Sequence, residues 1–198
     1  MLREAGILFA ITLIAGLVLG FVYELTKEPI RIQKEKAVQE ACAEVFEGAS
    51  AFQEIPYVPE EELAGEFSAD GVEIGTVYEA KDSEGALLGY VIQTTSSKGY
   101  GGDIVLYMGV ALNGTLNKVS FLEISETAGL GMKAEKILGP QLQKKKVSGF
   151  TYTKTGSHSD SEIDAISGAT ITTKAVTNAV NAGLKTAAAL IQGGGSNE

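Results

Sequence analysis

The stretch IVLYMGVALNGTLNKVSFLEIS, residues 104–125, decides the fold. Its first part, IVLYMGVAL, is uncharged and rich in β-branched and aromatic side chains, and its second, LNKVSFLEIS, mixes apolar with polar positions. Between them stands Asn113-Gly114, the pair that most readily supplies the two positive φ angles of a tight hairpin turn. An antiparallel hairpin follows. Upstream, VEIGTVYEA (residues 72–80) and ALLGYVIQTT (residues 86–95) flank the turn DSEG, which predicts a second hairpin. Each hairpin runs into a glycine-rich stretch, KGYGG (residues 98–102) and ETAGLG (residues 126–131), at a similar distance from its turn. The pattern suggests a weak internal duplication and sets two loops at one end of a sheet, where a ligand can approach the backbone closely.

Helical signals surround these strands. In TTKAVTNAVNAGLKTAAALIQ, residues 172–192, Val176, Val180, Leu184, Ala187 and Ile191 fall on one stripe and predict an amphipathic final helix. KAEKIL (residues 133–138) suits a short helix, residues 56–66 read as a Pro- and Glu-rich loop, and residues 193–198, GGGSNE, as a disordered tail. The fold class is therefore α+β, antiparallel hairpins packed with helices, in a domain over residues 70–192.

The first residues do not belong to that domain. Residues 5–23, AGILFAITLIAGLVLGFVY, are uncharged, and 19 residues of helix measure about 28 Å, close to the thickness of a bilayer's hydrocarbon. The run exceeds a signal peptide's apolar core and lacks a clean cleavage site, so it reads as an uncleaved transmembrane anchor in lipid. Residues 24–48 follow as a stalk or docking helix, with Ile30, Ala37, Val38, Ala41, Val45 and Phe46 at helical spacing, Thr26 as cap and Pro29 in the first turn. Lys27, Arg31, Lys34 and Lys36 follow the span while Arg3 precedes it, a bias that by itself would keep the domain inside the cell.

With 198 residues and a net charge of −9, the chain offers no basic surface for nucleic acid. Cys42 and His158 are the single cysteine and histidine, so neither an internal disulfide nor a cysteine-ligated cluster or structural zinc site can be built from this chain alone. Cys42 is expected in the core and His158 in a solvated loop.

DAISGATITT, residues 164–173, stands where the last helix begins. One reading is a cap, in which Ser167 or Thr170 accepts from the first N–H groups and Gly168 allows the turn. The same helix entrance, with unpaired donors and a partial positive charge, also suits a phosphate ester lying against Gly168 and Ala169.

D-x-x-S-G-A-T, Asp164 to Thr170, resembles the flavinylation motif of the FMN-binding domain family, in which the final Thr carries FMN by a phosphodiester bond. GYGGDI (residues 99–104) and ETAGLG are similar to further family motifs and occur in the same order, with Ala128 where the family's loop has proline. A single span and this domain size are most similar to the G-subunit branch of ion-translocating ferredoxin:NAD oxidoreductases, the C-subunit branch of sodium-pumping NADH:quinone reductases being the near neighbour. The resemblance implies a separate flavin transferase that moves FMN from FAD to the Thr170 hydroxyl with release of AMP, Asp164 being either read by that transferase or used to order the turn. It implies further that Ser167, Gly168, Ala169, Thr172, Glu126, Thr127, Gly129, Leu130 and Tyr100 surround the flavin. A membrane-anchored electron relay is then expected, with other membrane subunits as partners, the domain on the extracytoplasmic side and no substrate turnover of its own. The competing readings are a membrane-anchored module that binds an untethered ligand, with SGAT only a cap, and a flavin carrier serving another extracytoplasmic reductase.

Overall fold

The computed structural model describes residues 2–194, and the chain divides into two compact units, one ending at Val38 and the other beginning at Gln39. Helix α1 (Leu2–Val45) opens the chain. Within residues 3–36 no side chain is buried; Phe9, Leu17 and Leu19 expose about two thirds of their surface, at 67%, 66% and 70%. This helix is the one among the described residues long and apolar enough to cross a membrane. No new helix starts at Thr26. Its hydroxyl instead donates back to the Val22 and Tyr23 carbonyls at 2.9 and 3.3 Å, and Pro29 lies inside the helix rather than in a first turn.

In the second unit, β1 (Ala51–Ile55), β2 (Val72–Lys81), β3 (Leu87–Ser96), β4 (Ile104–Ala111) and β5 (Leu116–Ile124) form one antiparallel sheet in sequential order. Both hairpins form at the expected turns, and the pairing Ser96↔Ile104↔Ile124 brings the two glycine-rich stretches to the same sheet end. Strand β4 is buried along almost its whole length, which explains its unbroken apolar run. Ile104, Leu106, Met108 and Val110 enter the main core, while Tyr107 and Gly109 face the other way, as successive strand residues must.

Helix α4 (Thr170–Gly194) covers the main-core face. Val176 and Val180 are fully buried, Leu184 and Ala187 nearly so, and Ile191 packs at the margin. The helix lies so near the sheet that a Cβ on Gly183 would stand 2.0 Å from the Met108 sulfur. Glycine at a mid-helix position costs about 1 kcal/mol in propensity and is here required by that approach. The opposite face of the sheet is closed by residues 39–46, where Ala41, Cys42, Val45 and Phe46 are buried and the Val45 carbonyl sits 2.2 Å from where a Gly109 Cβ would be. Glu44 ties this segment to β5, accepting from Ser120 Oγ at 2.6 Å and pairing with Lys118 at 2.7 Å.

Three segments differ from expectation. The region read as loop contains α2 (Glu61–Asp70), which has few apolar residues but buries Phe67, packs Leu63 one turn earlier against the core and ends on Gly71 at φ 66°. Glu61 and Glu62 favour its first turn through the helix dipole. Strand β1 pairs on the outer edge of β2, and β6 (Thr151–Thr153) pairs in parallel with β7 (Glu162–Asp164), both too short to show periodicity. A short α3 (Ala134–Leu138) forms as expected. Of the expected tail, residues 193–194 continue α4 and residues 195–198 lie outside the described residues.

Candidate functional site

The site is assembled by three loops that meet beyond one end of the sheet. Residues 97–103 leave β3, residues 125–130 leave β5, and residues 165–169 lead from β7 into α4. Between them is a cleft of about 450 Å³ lined by Tyr100, Glu126, Thr127, Leu130, Gly131, Gly168, Ala169, Thr170, Ile171 and Thr172. A larger cleft, about 550 Å³, lies beside α2 around Phe67, Ile74 and Asp103 and contains none of the motif residues. The smaller one is the better candidate, because it joins the free donors of a helix entrance to apolar side chains and gathers the motif residues.

The entrance to α4 is built by Thr173 rather than by Ser167 or Thr170. The Thr173 hydroxyl donates to the Ala169 carbonyl at 2.9 Å and accepts the Ile166 N–H at 3.1 Å, closing the turn from inside the protein. The Ala169 N–H also donates to the Ile166 carbonyl at 3.0 Å, and Gly168 takes φ 77°, a left-handed conformation that glycine adopts without strain. The backbone ladder of α4 begins with Thr173 N–H to Ala169 O at 3.0 Å. The preceding N–H groups, on Thr170, Ile171 and Thr172, are therefore those a helix leaves without internal acceptors. Thr170, half-buried at the cleft wall, has no side-chain hydrogen bond among the described residues, so its Oγ1 is available, while Thr173 braces the turn before the helix without accepting from any first-turn N–H.

Upstream, the motif is anchored through its backbone. Asp164 ends β7, its N–H donating to Gln141 Oε1 at 2.7 Å, and the Ala165 N–H donates to the Thr153 carbonyl at 2.8 Å. Asp164 does not line the cleft, nor do Ser167 and Gly129; Ser167 is exposed, and Gly129 takes φ 80° in an exposed turn.

The other two loops are joined by Glu126. Its Oε1 accepts the Tyr100 N–H at 2.7 Å and, more weakly, the Gly101 N–H at 3.4 Å. Thr127 closes the second loop, its carbonyl accepting from the Leu130 and Met132 N–H groups at 3.1 and 3.3 Å. Tyr100, Leu130 and Ile171 remain 70%, 41% and 53% exposed around Thr170. Three of the six large apolar side chains exposed beyond residue 32 thus border this one cleft, a concentration that marks a binding surface.

Of the residues expected around the ligand, Tyr100, Glu126, Thr127, Leu130, Gly168, Ala169, Thr170 and Thr172 line this one cleft together with Gly131 of the same ETAGLG loop, and Ile171 joins them unexpected. Ile171 carried a signal, an apolar residue in the first turn of α4 that falls off the buried stripe. The cleft suits FMN: its volume is that of an ordinary ligand pocket, its apolar walls suit a flat aromatic ring and its helix entrance suits a phosphate.

Residues 99–185 match the model of the FMN-binding domain. The chain is 32% identical to the G subunit of the Na⁺-translocating ferredoxin:NAD⁺ oxidoreductase complex of Acetobacterium woodii, over 88% of this chain and 86% of that protein. It is 29% identical to the G subunit of the proton-translocating ferredoxin:NAD⁺ oxidoreductase complex of Clostridium ljungdahlii over 90% of each, and 28% identical to the G subunit of the ion-translocating oxidoreductase complex of Methanosarcina acetivorans over 86% of each. Among solved structures, NqrC of Shewanella oneidensis aligns with a TM-score of 0.49 and 23% identity, covering 60% of this chain and 61% of that one. With a relative of this identity spanning most of its length, the chain belongs to the FMN-binding domain family, among the G subunits of ion-translocating oxidoreductase complexes.

Proposed function

We propose that the chain is a single-pass membrane flavoprotein that relays electrons within an ion-translocating ferredoxin:NAD oxidoreductase, its FMN joined to Thr170 Oγ1 by a phosphodiester bond. The carrying observation is that Thr170 opens α4 inside the one cleft that also gathers Tyr100, Leu130 and Ile171. Bound there, FMN supplies one- and two-electron transfer. The chain's residues bind and orient it: the first-turn N–H groups of α4 face phosphate charge, Gly168 leaves room beside the ester, and the apolar rim excludes water from the ring. Residues 5–23 serve as the membrane anchor and residues 24–48 as the stalk, the domain follows on the extracytoplasmic side, and a separate transferase completes Thr170.

Covalent attachment has a physical rationale at that location. A noncovalent site of nanomolar affinity, about 12 kcal/mol at the 1 M standard state, still empties when free ligand is absent, whereas an ester does not dissociate.

Co-expression with a flavin transferase should give a band fluorescent under ultraviolet light on a denaturing gel, and Thr170→Ala should abolish it while changing the domain's stability by no more than about 0.5 kcal/mol. A nonfluorescent parent band would leave an untethered ligand-binding module as the better reading. Co-purification of ferredoxin-type iron-sulfur subunits is the expected partner result. Protease should digest the domain in intact cells; digestion only after lysis would place it inside.

A further inference from the structure

The glycines of the two loops suggest open space for a ligand, but the geometry gives most of them another task. A Cβ on Gly99 would stand 2.1 Å from the Gly102 carbonyl oxygen and 2.8 Å from Glu126 Oε1. On Gly101 it would lie 2.2 Å from the Ser125 carbonyl oxygen, and on Gly131 2.7 Å from Glu126 Oε2 and from Thr172 Oγ1. Gly101 therefore makes room for the residue before Glu126, Gly131 for the Glu126 carboxylate and Thr172, and Gly99 first for the Gly102 carbonyl of its own loop and then for that carboxylate. Only Gly129 has open space around it, and there a positive φ is what requires glycine.

The carboxylate so enclosed spans two loops that follow different hairpins. Oε1 accepts from the Tyr100 and Gly101 N–H groups, while Oε2 lies against Gly131, three residues before α3 begins at Ala134. We propose that Glu126 is a positioning residue, a carboxylate clasp that keeps loop 99–102 on loop 126–131 so that Tyr100 and Leu130 stay at the two walls of the Thr170 cleft. The clasp carries a full charge into the cleft, where it is the sole carboxylate among the lining residues. A negative group beside a redox centre opposes the arrival of an electron, so the clasp also lowers the potential of whatever flavin the cleft holds. This second consequence rests on the function proposed above; the first does not.

The test uses the full chain in membranes. In a Thr170→Ala background, which carries no ester, amide hydrogen exchange is measured over residues 99–102. Glu126→Ala should raise exchange there about tenfold or more, the effect of losing a charge-assisted hydrogen bond, and Glu126→Gln, which retains an acceptor oxygen, should recover most of the protection. In the flavinylated chain, Glu126→Gln should shift the midpoint potential upward with the visible spectrum otherwise retained. Parent-like exchange in Glu126→Ala overturns the clasp. An unchanged or lowered potential in Glu126→Gln overturns the charge effect. If no flavin is attached at Thr170, the function proposed above fails, while the exchange measurement still decides the clasp.

Discussion

Two long helices of this chain, the first 37 described residues of α1 and the whole of α4, are both rich in apolar and small residues yet behave oppositely. Residues 3–36 bury no side chain, whereas α4 buries Val176, Val180 and Ala179 completely. Apolar content does not separate them, but its distribution around the axis does. On α4 it forms a stripe opposite Lys174, Asn178 and Lys185, and on residues 5–23 it covers every side. A helix apolar all round finds its solvent in lipid; a striped one finds it in a protein core.

The comparison can be broken most forcefully at Gly183. Replacing it by Leu drives a side chain into Met108 and should cost about 3 kcal/mol or more, seen as a lower melting temperature of the domain. A parent-like melt would mean that α4 can lift from the sheet. Leu17→Arg sharpens the other half. It should disfavour membrane insertion by about 3 kcal/mol, measured by fractionation, while leaving the domain's melting temperature unchanged.

Smaller effects test residues 39–46, where α1 ends against the domain. Burial pushes the Cys42 thiol up to about 12. Its folded value lies above the unfolded 9.0, so the protonated form is favoured by folding and stability should be lost as pH rises from about 9 through about 12. A thiol reagent at pH 8 should modify Cys42 only in denaturant; rapid labelling of the folded chain would show the segment undocked.

Glu44 titrates in the opposite sense. Hydrogen bonding to Lys118 and then to Ser120 holds its carboxyl below the ordinary value. Its contribution is present above that ordinary value and is lost as pH falls through the lower folded one. Because both side chains are about two fifths exposed, at 39% and 41%, Glu44→Gln should cost under about 1 kcal/mol near neutral pH, and the difference from the parent should vanish in acid.

How much of the site could be read in advance follows from the range of the forces involved. Thr170, Gly168 and Ala169 were legible because a helix entrance is specified by adjacent residues. The brace behind that entrance was not, since Thr173 closes the preceding turn by reaching back seven residues to Ile166. Glu126 could be singled out as a loop residue, but its partner Tyr100 is 26 residues away and is chosen by the pairing of β3, β4 and β5. Helix α2 escaped notice because two apolar contacts, Leu63 and Phe67, stabilise it in the fold without making a periodic pattern.

The amino-acid sequence by itself determined an apolar run long enough for a bilayer, two hairpins, a striped last helix and the order of the three motifs. Each depends on neighbours a few residues apart, where turn chemistry and side-chain periodicity act directly. Only the tertiary structure decided that those motifs share one cleft, that the loop glycines admit a carboxylate, and that β6 and β7 fix the approach to α4. These are contacts between distant segments, and they exist only once strand register and the burial of the sheet's two faces have placed the backbone.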